Sequence, residues 1–90
     1  MSKKEKSGAT SYELGKADAL NGLNDPMVFR FASLMGVNEF RGYVEGFCST
    51  PQGAELAAEI GIFKDDFVGQ TETNIMKKKK EIYKGERLSN

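Results

Sequence analysis

Ninety residues with thirteen basic and thirteen acidic side chains carry no formal net charge. Folding so short a chain hides only about 60% of the surface that the unfolded chain exposes, so one core is all it can build. An apolar fraction of 39% against 29% charged excludes wholesale disorder. No apolar run nears the roughly 18 residues of a membrane span, and the basic start, Met1 to Lys6, lacks the apolar stretch of a signal peptide. Cys48 is the one cysteine, so a single copy can form neither a disulfide framework nor a thiolate metal site. The expectation is a cytoplasmic protein with no membrane contact.

Residues 1–9 show no apolar period and read as a disordered basic tail, with a single helical domain over 10–85 and a second tail over 86–90. Thr10 and Glu13 have the spacing of a capping box and predict a helix to about Asn21. Its inner stripe is Tyr12, Gly15, Ala19 and Gly22, with Leu20 and Leu23 beside it. After the turn at 21–24, Asp25 and Pro26 predict a second helix from Pro26 to about Met35. Met27, Val28, Phe31, Leu34 and Met35 are its expected buried stripe, Phe29 lies off it, and Gly36 closes it in a left-handed conformation. Asn38 is the expected cap of a third helix that buries Phe40, Tyr43, Val44 and Phe47.

Thr50 and Pro51 then start a fourth helix, which turns Gly53, Leu56, Ala57 and Ile60 inward and ends at Gly61. Ile62, Phe63, Phe67 and Val68 flank Lys64, Asp65 and Asp66 in one irregular turn pinned by two aromatics. A fifth helix from Thr71 or Thr73 to Gly85 places Ile75, Met76, Ile82 and Tyr83 inward. No stretch alternates like a strand. The fold expected is all-α, a compact bundle of about four to five short helices. Glycine costs about 1 kcal/mol inside a helix, and Gly15, Gly42 and Gly46 all fall inside one, so close helix contact must offset that cost. The predicted seam sets Gly15, Ala19 and Gly22 against Gly42 and Gly46.

The chain has no histidine, which removes the commonest general base and metal ligand. Glu55 and Glu59 stand one turn apart without the Glu-x-x-His pattern of bundle di-metal sites, and Asp65 and Asp66 lack EF-hand spacing. Cys48 sits near a helix C-terminus, which disfavours thiolate and makes it a packed hydrophobe. Neither a catalytic residue nor a cofactor is therefore expected, and function falls to binding.

The zero net charge conceals a segregation. Residues 1–6 carry +2, residues 7–72 carry −6 and residues 73–90 carry +4. An acidic face of Asp18, Glu39, Glu45, Glu55, Glu59, Asp65 and Asp66 is thus one candidate surface for a partner, with Phe29 as its aromatic anchor. Lys77, Lys78, Lys79 and Lys80 are the second, able to touch nucleic-acid phosphates. No aromatic interleaves with that run and the rest of the chain is acidic, so a solvated helix face accounts for it better.

Gly15-x-x-Asp18-Ala19-x-x-Gly22, then Pro26, then Phe40-Arg41-Gly42-Tyr43-x-x-Gly46 resembles the ribosome modulation factor family and similar small phage and plasmid proteins. Asn24-Asp25-Pro26-Met27 stands where that family has Cys-Pro-Tyr, and Tyr43 where it has tryptophan. The resemblance spans about residues 12–47 and implies a helical hairpin, without the strongly basic charge by which the ribosome-binding members hold ribosomal RNA, since this segment is acidic. The expectation is a non-enzymatic regulatory binding protein that inhibits or modulates a host macromolecular machine. Phage and mobile-element accessory proteins such as anti-CRISPR proteins act in this way. Its partner is a protein or nucleoprotein, with homo-oligomerisation left open. The alternative is a ribosome- or RNA-binding modulator that uses the C-terminal lysines.

Overall fold

A computed structural model describes residues 7–22 and 26–84, and within them the secondary structure is helical throughout, without a strand. In chain order the helices are α1 (Ser7–Leu20), α2 (Pro26–Ala32), α3 (Val37–Phe47), α4 (Pro51–Glu59) and α5 (Glu72–Tyr83). A single 3-10 turn, Lys64–Asp66, lies between α4 and α5. The Cα radius of gyration is 12.1 Å, close to the roughly 12 Å expected of a compact chain of this length.

The α1–α3 seam organises the bundle. Ser11, Gly15 and Ala19 recur at every fourth position of α1 and are all buried, so the face towards α3 carries almost no side chain. A Cβ on Gly15 would strike the carbonyl oxygen of Tyr43, and one on Gly46 would strike that of Tyr12. The two backbones therefore meet where only glycine fits. Gly53 extends the contact to α4, because a Cβ there would strike the Phe47 carbonyl and come within 2.8 Å of the Ala19 Cβ. Gln52 donates from Nε2 to the Ala19 carbonyl at 3.1 Å and fastens α4 to the end of α1.

This seam differs in membership from the expected one. Gly22 is exposed and left-handed, with φ 75°, and forms the turn after α1. Leu20 is exposed. Helix α1 also begins at Ser7, so Thr10 lies within the helix and not at its cap. Asp25, Leu23 and Gly85, assigned to caps and turns from the sequence, lie outside the described residues.

Helix α2 departs most. It ends at Ala32, and Gly36, with φ −62°, is the N-cap of α3 and no left-handed terminator. Asn38 consequently lies inside the first turn of α3. The buried residues are Phe29, Ala32 and Ser33, while Met27, Phe31 and Leu34 are exposed. Phe29 packs edge-on against Tyr43 and Phe47, with centroids 5.8 and 4.8 Å away. Ala32 and Ser33 are small enough to bring that ring home. The Ser33 hydroxyl donates to the Arg30 carbonyl at 2.6 Å, so its burial leaves no orphan donor.

Helix α4 follows the sequence reading. Pro51 opens it, Thr50 Oγ1 accepts from the Gly53 N–H at 3.0 Å, and Gly61 at φ 87° closes it. The Ile62 N–H reaches back to the Ala57 carbonyl and the Gly61 N–H to that of Ala58, the paired bonds of a Schellman ending. Phe67 is buried against Phe40, at 5.3 Å and 89°, but Phe63 is exposed, so one aromatic pins the following turn instead of two. Thr71 caps α5 by accepting from the Asn74 N–H. Ile75 and Ile82 are its buried residues, with Met76 and Tyr83 exposed. No described helix is long and apolar enough to cross a membrane.

Candidate binding surface

The acidic residues singled out in the sequence are mostly engaged within the chain. Asp18 is half-buried and accepts a 2.7 Å hydrogen bond from the Tyr43 hydroxyl. Glu39 folds back over the start of α3, where unpaired N–H groups favour an anion; its Oε1 would lie 2.5 Å from a Cβ on Gly36. Asp66 faces Lys78, with Oδ1 3.7 Å from Nζ, and Glu59 also has an interaction within the chain. Glu55 and Asp65 are exposed and Glu45 is half-buried.

The four lysines divide between two flanks of α5. Lys77 and Lys78 fall with Asn74 and Glu81 on a stripe spaced three and four residues apart, beside Asp66 and Gln70. Asn74 Nδ2 donates to Gln70 Oε1 across that polar groove at 3.2 Å. Lys79 and Lys80 fall with Tyr83 on the opposite flank, facing Ser33 and Leu34. The run is thus two pairs with different neighbours.

Phe29, the expected aromatic anchor, is fully buried and unavailable to a partner. The exposed aromatic of α2 is Phe31, at 65%, in a ridge with Met27 at 43% and Leu34 at 63%. These residues are spaced four and three apart, so they follow one side of α2 into the turn beyond it. On one side of the ridge, a groove towards α1 and α3 is lined by Leu14, Val28, Phe31 and Met35, with Asp18 and Tyr43 at its polar edge. On the other side, a second groove towards α5 is lined by Leu34, Lys79, Lys80 and Tyr83.

Arg30 shares the ridge stripe and bridges it to α5, since its Nε donates to the Tyr83 carbonyl at 3.2 Å. A guanidinium placed at the carbonyl end of a helix is favoured by the helix dipole. That arginine was the overlooked signal. The stripe Met27, Arg30, Phe31, Leu34 carries a charge at its centre, whereas Phe29, Ala32 and Ser33 carry none.

Burial, then the hydrogen bond and the negative charge of Asp18, raise the Tyr43 hydroxyl well above the usual tyrosine range, so it stays a neutral donor. Burial likewise raises the Cys48 thiol, against a smaller opposing pull from the Lys64 charge. Among the described residues, no three metal-ligating side chains gather to hold an ion. The surface offers apolar area, cations and shape. No family model matches the chain, and no curated protein or solved structure matches it either.

Proposed function

We propose that this protein is a non-enzymatic binding protein that modulates a macromolecular partner by docking on it through the outer ridge of α2. One observation carries the reading: Met27, Phe31 and Leu34 stay between 43% and 65% exposed along one side of a helix whose other side is fully packed. Exposed apolar area gathered in one place, rimmed by polar groups, is the usual mark of an interaction surface. Phe31 is the anchor, because an exposed aromatic beside a groove contributes most when a partner covers it. An exposed apolar ridge acts by occupying a surface on its partner, which suits inhibition or modulation of a larger host machine. The ribosome- or RNA-binding alternative has less to rest on, because Lys78 faces Asp66 and the lysine run does not present one cationic face.

The test is capture from host lysate by the protein and by its Phe31→Ser variant, with and without nuclease. The reading expects a protein that survives nuclease and is lost with the variant. Equal capture by both forms, or capture of ribosomal components that nuclease abolishes, overturns it.

A further inference from the structure

We infer that the segment seated against α2 is an acidic amphipathic helix of a partner protein, lying in the groove between α2 and α5. The inference rests on the binding reading above and adds the chemistry of the occupant. Leu34 and Tyr83 stand on opposite walls of this groove at 63% and 52% exposure, so each wall offers apolar area. Met76, at 48%, falls on the Tyr83 flank of α5 by its spacing from Lys79, Lys80 and Tyr83. Three cations accompany those side chains. Lys79 and Lys80 line the groove, and Arg30 is tied to its wall residue Tyr83 by the bond from Nε to the Tyr83 carbonyl. That bond uses one of the five guanidinium donors and leaves others for a carboxylate.

Among the described residues no carboxylate lines this groove, in contrast to the two neighbouring grooves, which contain Asp18 and Asp66 with Glu81. Lys79 and Lys80 therefore lack a counter-charge among the described lining residues, and a partner supplying one gains both orientation and association rate. The mix on the walls, apolar Leu34 and Tyr83 beside Lys79 and Lys80, with Arg30 bonded to the Tyr83 carbonyl, matches a helix with leucine-like residues on one face and carboxylates flanking it. Nucleic acid would meet the cations but leave Leu34 and Met76 without a stacking role.

The probe is a synthetic fluorescein-labelled helical peptide of about 15 residues, with leucines on one face and glutamates on its flanks. A charge-swapped form carries lysine for glutamate. Anisotropy titrations against the full chain should show the glutamate peptide binding and the lysine peptide binding at least about tenfold more weakly. A Lys79→Glu, Lys80→Glu double variant should reverse that preference, with its helical circular dichroism unchanged. Equal affinity for the two peptides, no binding of either, or an unchanged preference in the double variant overturns the proposal. So does tighter binding of a single-stranded RNA, of anionic lipid vesicles, or of a second copy of the chain by sedimentation. If Phe31→Ser abolishes capture from lysate while the glutamate peptide fails, the ridge reading stands and the acidic-helix inference falls.

Discussion

The Tyr43 hydroxyl donates a 2.7 Å hydrogen bond to Asp18 Oδ2, fastening α3 to α1 at the polar edge of the groove that Phe31 lines. The ring is 2% exposed, so the bond satisfies a hydroxyl that would otherwise be buried without a partner. Tyr43 thereby belongs to the core by its ring and to the surface by its oxygen.

Tyr43→Phe should lower stability by about 1 kcal/mol near neutral pH, the usual value of one such bond. Its pH dependence is the sharper test. Burial, then Asp18, hold the folded hydroxyl protonated above the ordinary tyrosine value of about 10. Below about pH 10 both states keep the proton and the stabilisation is fully present; above it the unfolded state gives up its proton, and the stabilisation is lost as pH rises. Urea unfolding at about pH 8 and about pH 11 should therefore show the gap between wild type and Tyr43→Phe closing at the higher value. A constant gap would mean that Tyr43 ionises in the folded protein as readily as in the unfolded chain.

Gly46→Ala discriminates between two opposite effects. On an open helix face the change would stabilise by about 1 kcal/mol through helix propensity. Here the new Cβ strikes the Tyr12 carbonyl oxygen, an atom of rigid backbone, so we expect destabilisation of at least about 2 kcal/mol from forced separation of α1 and α3. Gly22→Ala is the control. At that site nothing stands within 4 Å and only the φ of 75° is at issue, for a cost of about 1 kcal/mol. Thermal melts of the two variants separate contact from conformation, and a stabilised Gly46→Ala would refute the close seam.

The elements that sequence made legible are those whose signals agree at several levels. Thr50, Pro51 and Gly61 bracket α4 with a cap, a proline and a left-handed glycine, and the structure uses all three. In α3, Phe40, Tyr43, Val44 and Phe47 dominate their stripe, and no competing face exists. The glycine seam was foreseeable in kind because helical glycine needs a reason; Gly53 was expected inward and is buried, but its part in the close contact was not foreseen, because that constraint comes from the Phe47 carbonyl, a tertiary neighbour that no spacing rule encodes. In α2 the rules failed in part and for a physical cause: Val28 and Met35 pack against the core as expected, while Met27, Phe31 and Leu34 are exposed. Seven residues make two turns, so periodicity cannot outweigh a single well-packed ring, and Phe29 between Tyr43 and Phe47 settles the orientation. The candidate surface was invisible for the same reason, since its residues were assigned to the core.

Cys48 offers a local probe of the α3–α4 corner. The residue caps α3 and is half-buried against the core. Burial raises its thiol, with the Lys64 charge only partly opposing, so the thiolate fraction at a given pH is smaller than that of a free cysteine. Reaction with a thiol-specific disulfide reagent at about pH 8 should be at least about tenfold slower than in urea-unfolded chain, and should accelerate as pH rises. Lys64→Ala should slow it further by removing the one opposing influence. A rate equal to that of the unfolded chain would place the sulfur in open solvent.

Phe29 and Phe31 stand two residues apart and should answer opposite assays. Phe29→Ala removes a fully buried ring with two edge-on aromatic contacts, and the cavity should cost about 3 to 5 kcal/mol, a large share of the stability of so small a domain. Phe31→Ala removes a ring that is 65% exposed and should move stability by no more than about 0.5 kcal/mol. In partner capture the order reverses for any Phe29 variant that remains folded, such as Phe29→Leu: binding persists there and is lost in Phe31→Ala. Chemical denaturation and capture measured on the same preparations give the comparison. Equal stability losses at the two positions would mean that α2 presents the other face to the core, and with it that the ridge does not exist.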